Sequence, residues 1–306
     1  IGELDAGATT TFTALDLSRE PAGKKKRRWW QLGRKVEEEE EEPEADTRAR
    51  PPLPSSWRGR ETKRRHLHGA GLALYGQRAI GLVGRERERD RLWATLREVI
   101  DRGRAQLVLI EGSAGSGKTA LAEWLAHRAA EVGASQSLWA AHSESGGLAD
   151  GLGPMLAREL RGHGLDREDL VERVEAHLRD VGIVDREEAL ALAELAFPSV
   201  DDGHTGEGLG VRFSGPRERH AVLARYVTAM AAQRPVVLML DDLHHGPDTQ
   251  GFVAHLLLSQ DTAPAPLLIV ATARSEALAQ DFVRAQALRA LIDLGGQHIE
   301  LQPLDR

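Results

Sequence analysis

The chain has 306 residues, enough for one large or two small domains with a full α/β core. Without cysteine it can hold no disulfide, thiol nucleophile or cysteine metal site, which fits a reducing cytoplasm. A formal charge of −7 is too mild to argue for nucleic acid as a partner of the whole chain.

The longest apolar runs, 236–240 and 267–271, are far shorter than the roughly 20 residues that cross a bilayer. The first 14 residues lack the basic-then-apolar pattern of a signal peptide. The chain starts at Ile1 and its first methionine is Met155, so a piece of a longer protein is expected. From Pro21 to His68 charge and proline dominate: Lys24-Lys25-Lys26-Arg27-Arg28, six glutamates at 37–42, Pro51-Pro52-Leu53-Pro54 and Lys63-Arg64-Arg65. Such a segment buries too little apolar surface to offset chain entropy, so 1–78 is expected to be mostly a disordered linker. Trp29-Trp30 after the basic run could touch an anionic membrane or nucleic acid, but the neighbouring glutamates oppose that.

Leu92, Trp93, Leu96, Val99 and Ile100 share one stripe of a helix expected over 85–100. The apolar run 106–110 suits a buried parallel strand feeding a loop, followed by a helix from 118 to about 132. A second strand is expected at 138–141, then helices at 154–160, 167–181 and 186–197, with Asp166 and Asp185 starting the last two. The glycine-rich loop 198–215 is expected to be mobile. A helix at 216–232 and strands at 236–240, 267–272 and 298–301 complete the pattern. Strands alternating with helices imply an α/β fold, a parallel sheet of about five strands covered by helices on both faces.

Gly112-Ser113-Ala114-Gly115-Ser116-Gly117-Lys118-Thr119 has the Walker A form: glycine, four residues, then Gly-Lys-Thr. Glycines let backbone N–H groups turn inward around phosphate oxygens. Lys118 would neutralise the β and γ phosphates, and the Thr119 hydroxyl would complete Mg²⁺ coordination. The positive end of the following helix adds to the attraction. This is the pattern of a P-loop NTPase taking ATP, or less readily GTP, with Mg²⁺.

Val236-Val237-Leu238-Met239-Leu240-Asp241-Asp242 delivers two carboxylates at the C-terminal edge of a strand, where open α/β sheets bind ligands. Asp241 is the candidate metal-holding residue and Asp242 the candidate to polarise the attacking water. The next strand ends Ala271-Thr272-Ala273-Arg274, so Arg274 could sense the γ-phosphate from a neighbouring tip. Adjacent histidines on a helix face different ways, so His244-His245 makes a poor metal site and packing or loop roles are preferred.

In order, Gly81-Leu82-Val83-Gly84-Arg85-Glu86, the Walker A loop, Leu240-Asp241-Asp242-Leu243-His244 and Thr272-Ala273-Arg274 resemble the bacterial signal-transduction ATPases with numerous domains, the STAND class, in their AAA-like branch. The resemblance spans about 81–306, within an ATPase domain expected at 79–306. It implies that Val83, Gly84 and Arg85 lie beside the adenine base and that Arg274 senses the γ-phosphate. It also implies a winged-helix lid and further domains beyond Arg306. The family often has tryptophan where His245 stands. The segments 51–57 and 69–75 resemble relatives in which a serine/threonine kinase precedes the ATPase, although no kinase catalytic motif is present.

These features lead to a regulatory switch with slow ATP hydrolysis, coupled to output or sensor domains in the same full-length chain. The competing readings are an AAA-type oligomeric motor or loader acting on protein or DNA, and a P-loop kinase for a small molecule. The second acidic residue, Asp242, and the long βα elaborations disfavour the kinase. A motor would need an arginine finger, for which Arg217 and Arg219 are only guesses, and nucleotide-dependent self-association would separate the first two. No clear nucleic-acid or membrane site emerges.

Overall fold

The computed structural model of the chain describes residues 53–58, 82–199 and 211–303. The expected linker lies outside the described residues except for 53–58, as do Gly81 and residues 200–210 of the expected mobile loop.

Five segments form strands β1 (Gln106–Gly112), β2 (Gln136–Ala141), β3 (Val236–Asp241), β4 (Leu267–Arg274) and β5 (Gln297–Leu301). All pair in parallel, in the order β2-β3-β4-β1-β5. The helices are α1 (Glu86–Arg102), α2 (Lys118–Glu131), α3 (Leu152–Leu160), α4 (Arg167–Asp180), α5 (Arg186–Ala196), α6 (Pro216–Gln233), α7 (Pro247–Leu258), α8 (Ser275–Gln280) and α9 (Phe282–Asp293).

Successive strand residues point to opposite faces; β1, β3 and β4 are buried on both and read as apolar runs, whereas the edge strands β2 and β5 alternate buried and exposed residues. Val108, Ile110, Met239 and Val270 pack on one face against Leu92 and Leu96 of α1 and Leu121 and Leu125 of α2. Leu109, Leu238, Leu240 and Ile269 face the other way, in a core built with Met155, Leu192, Tyr226, Phe252 and Leu288. The fold is therefore α/β, a five-stranded parallel sheet with helices on both faces.

Asp166 caps α4 by accepting from the Asp169 N–H, and Asp185 caps α5 by accepting from the Glu187 and Glu188 N–H groups. Three helices, α7, α8 and α9, were not foreseen. Pro247 opens α7, whose buried residues Thr249, Phe252, Val253 and Leu256 follow helical spacing. Asp281 caps α9, which buries only Leu288 and Leu291.

Residues 53–58 form a strap across α1 and α2. Leu53 and Trp57 pack against the core beneath those helices, and the Trp57 ring meets Trp124 edge-on at 5.2 Å between centroids. Trp57 Nε1–H donates to Asp90 Oδ1 at 2.8 Å, Trp93 Nε1–H donates to Pro54 O at 3.0 Å, and Arg128 Nε–H donates to Trp57 O at 2.9 Å. The strap is thus seated on the domain that follows it, a contact that a domain boundary at residue 79 leaves out.

The strand order positions the site. β4 lies between β1 and β3, with Gly112 paired to Arg274 and Leu240 paired to Ala271. The tip of β4 therefore stands between the start of the glycine-rich loop and the two acidic residues, at the carboxyl edge of the sheet.

Candidate functional site

β1 ends at Gly112 and α2 begins at Lys118, so residues 112–119 form the turn between them. Gly115 and Gly117 have φ of +76° and +91°, conformations that side-chain-bearing residues rarely adopt. Gly112 is restricted by space instead, since a Cβ there would come within 2.7 Å of Leu301 O. Lys118 is buried and donates from Nζ to Gly112 O at 3.0 Å and Ser113 O at 2.7 Å. Burial pushes its pKa down, opposed by the charges of Asp242 and Glu276. The buried Ser116 Oγ has no hydrogen-bond partner, an orphaned polar atom in a loop suited to phosphate oxygens.

At the β3 tip, Asp241 accepts from Thr119 Oγ1 at 2.9 Å and from Thr272 Oγ1 at 2.6 Å. A hydroxyl and a carboxylate in contact form an all-oxygen donor set, which fits Mg²⁺ when waters and phosphate oxygens fill its remaining positions. No cluster of three or more acidic or histidine side chains suited to a metal occurs among the described residues, so protein groups alone do not build a metal cage here.

Asp242 has a left-handed backbone, φ +49°, at the start of a short 3₁₀ turn, which aspartate tolerates better than most residues. Arg274 Nη2 donates to Asp242 Oδ2 at 2.5 Å and Nε to Oδ1 at 3.3 Å. That contact raises the Arg274 pKa, and the guanidinium remains half exposed. Arg274 is thus held by an acidic neighbour at the sheet edge.

Val83 is 78% exposed, while Gly84 and Arg85 both have positive φ, 74° and 61°. Arg85 ties this segment to the phosphate loop, donating from Nη2 to Ser116 O at 2.9 Å and to Gln302 O at 2.6 Å. The structure thus joins 83–85, 112–119, 241–242 and 274 at one edge of the sheet.

Three participants were missed in the sequence. Thr272 links both aspartates, also accepting from the Asp242 N–H at 2.9 Å. Glu276, in the first turn of α8, accepts from the Ala114 N–H at 3.3 Å. His142, just beyond β2, bonds Asp241 O at 2.8 Å and Thr249 Oγ1 at 2.9 Å. A polar residue between apolar ones at the end of β4 was the available signal for Thr272. Glu276 and His142 had none, because their partners are remote in the chain.

His244 is buried against the His245 ring, 4.0 Å between centroids, and neither of its ring nitrogens is bonded. Burial first, and then the neighbouring His245, bring its pKa down to about 4. His245 lies beside Arg284 and lines a cavity of about 770 Å³ with His142, Phe213 and His220. That cavity contains no residue of the 112–119 loop.

The family model for the AAA ATPase domain matches residues 81–270, well over half of the chain. No match to a curated protein was found. Among solved structures, the chain is similar to the ORC1 protein of Aeropyrum pernix in complex with DNA, with 16% identity, 73% of this chain and 46% of that chain covered, and a TM-score of 0.37. A DnaC helicase loader is 14% identical over 70% of this chain and 90% of its own, with a TM-score of 0.30. A DNA replication initiation factor is 15% identical over 72% and 47%, with a TM-score of 0.28. The chain spans about half the length of the first and third.

Proposed function

The chain belongs to the AAA ATPase domain family, and on that premise we propose that it is a Mg²⁺-dependent regulatory ATPase, a nucleotide-controlled switch within a larger multidomain protein of the STAND class. The carrying observation is the ion pair between Arg274 and Asp242.

In this reading the backbone of 112–119 cradles the phosphates, and Lys118 exchanges its loop carbonyls for β- and γ-phosphate oxygens. Val83, Gly84 and Arg85 border the adenine, with the exposed Val83 offering it an apolar contact. Thr119 and Asp241 would hold Mg²⁺, which supplies positive charge against the phosphate oxygens. Without a triphosphate, Arg274 and Asp242 neutralise each other. A γ-phosphate offers Arg274 a more highly charged partner, and Asp242, once released, is free to orient the attacking water. ADP has no such group to offer. The two nucleotide states then differ in what Arg274 holds, which is the differential contact a switch requires.

Output or sensor domains of the same full-length chain would read the change. The test combines ATP and ADP affinities, single-turnover hydrolysis, and light scattering with each nucleotide. ATP-specific conformational change in a monomer supports the switch. Ring-sized particles formed only with ATP would favour an oligomeric motor or loader, and equal affinity with no conformational difference would eliminate the switch.

A further inference from the structure

Glu276 places a carboxylate on the phosphate loop itself. Its Oε1 accepts from the Ala114 N–H at 3.3 Å, although Glu276 belongs to α8, far along the chain from β1. A loop whose N–H groups face inward attracts anions, and Glu276 is an anion supplied by the protein. Its charge also acts on Lys118 and on Arg274, in both cases favouring the protonated form.

The location identifies which phosphate it opposes. Glu276 follows Arg274 by two residues, and Arg274 is paired with Asp242, the proposed water-orienting group. On the roles proposed above for Arg274 and Asp242, this puts Glu276 beside the terminal-phosphate end of the site. α8 has only six residues and buries none of them. Its core contact is the partly buried Leu278, while Glu276 itself is exposed, so its side chain can swing off the loop without unseating the helix.

We propose that Glu276 is a nucleotide-selectivity residue. Its carboxylate occupies the phosphate loop as an internal anion when no triphosphate is bound, and it repels the γ-phosphate more than it repels ADP. ATP then has to move both charged ends of the 274–276 segment: Arg274 leaves Asp242 for the γ-phosphate, and Glu276 leaves Ala114. This rests on the nucleotide-site reading above.

Isothermal titration of the Mg²⁺ complexes of AMP-PNP and ADP tests it in the parent chain, Glu276→Gln, Glu276→Asp and Lys118→Ala. Glu276 is exposed, so neither of its variants endangers the fold. Removing one unfavourable charge contact near the surface should strengthen AMP-PNP binding by about tenfold in Glu276→Gln and change ADP by less than about threefold. Glu276→Asp keeps the charge and should retain most of the parent's selectivity. An equal change for both nucleotides, no change for either, or weaker AMP-PNP binding in Glu276→Gln overturns the proposal, provided that Lys118→Ala abolishes binding. If Lys118→Ala binds like the parent, the nucleotide-site reading itself fails and this inference falls with it.

Discussion

Thr272 donates its hydroxyl hydrogen to Asp241 Oδ1 at 2.6 Å while the same oxygen accepts the Asp242 N–H at 2.9 Å. One buried side chain of β4 thereby fixes both acidic residues of the neighbouring strand tip. Thr272→Val keeps the shape and removes both bonds, leaving the Asp242 N–H without its partner. A loss of about 1–3 kcal/mol of stability is expected, together with slower hydrolysis, and Thr272→Ser should recover much of both. Urea unfolding and single-turnover assays measure them; an unchanged Thr272→Val would mean that the aspartates are positioned by other contacts.

Arg274→Ala should bind ADP much as the parent does and discriminate ATP from ADP less well, because its proposed partner is the γ-phosphate alone. Equilibrium dialysis with both labelled nucleotides gives the ratio. An equal loss for the two would make Arg274 a structural residue that serves only to neutralise Asp242.

Asp242→Asn should keep ATP and Mg²⁺ affinity within a few-fold and lower hydrolysis by about 10² or more, as expected for loss of a positioned base. Asp241→Asn should instead weaken the Mg²⁺-dependent part of binding, since Asp241 is the carboxylate in contact with Thr119. Single-turnover assays with excess protein separate the two effects. A parent-like rate in Asp242→Asn, with an inactive Asp241→Asn of normal Mg²⁺ affinity, would reverse the roles.

His244 gives the chain a pH dependence of definite sign. Its folded pKa is about 4 against an ordinary 6.5, so between those values the unfolded chain takes up a proton that the folded chain refuses. Stability from this group is complete above pH 6.5 and is lost as the pH falls toward 4. Urea midpoints at pH 7 and pH 5 should differ more in the parent than in His244→Leu, which has nothing to titrate there. Equal differences would assign the acid sensitivity to other groups.

Trp57→Ala removes the edge contact with Trp124 and uncovers Arg89, whose guanidinium lies 5.1 Å from the ring centroids of both tryptophans. A loss of about 2 kcal/mol is expected for a half-buried tryptophan. Arg89 also donates to Leu82 O, next to Val83. Nucleotide affinity should therefore fall as well, by roughly fivefold. Calorimetry reads both, and a stability loss without any affinity change would confine the strap to packing.

What the sequence made legible was local. The 112–119 loop declares itself because its glycines, lysine and threonine fall within eight consecutive positions between a strand and a helix, and the apolar run ending at Asp241-Asp242 is equally local. The strand order was not legible, because inserting β4 between β1 and β3 depends on crossovers that no short window contains. α9 was missed because only Leu288 and Leu291 are buried and its periodicity is faint, whereas α7 carried usable signals in Pro247 and its spaced apolar residues. The strap was read as linker because its apolar contacts, Leu53 and Trp57, find their partners only when α1 and α2 are packed. Glu276 escaped for the same reason, since nothing near it in the chain indicates that its carboxylate reaches Ala114.

The seated strap has a consequence for traffic between the two ends of this domain. Arg89 lies over the Trp57 ring of the strap and donates to Leu82 O, immediately before the segment proposed to border the adenine. Affinities coupled in this way are reciprocal: whatever factor the docked strap adds to nucleotide binding, bound nucleotide adds to strap docking. A pull on the chain ahead of Leu53 would then work against nucleotide retention, and a filled site would resist that pull.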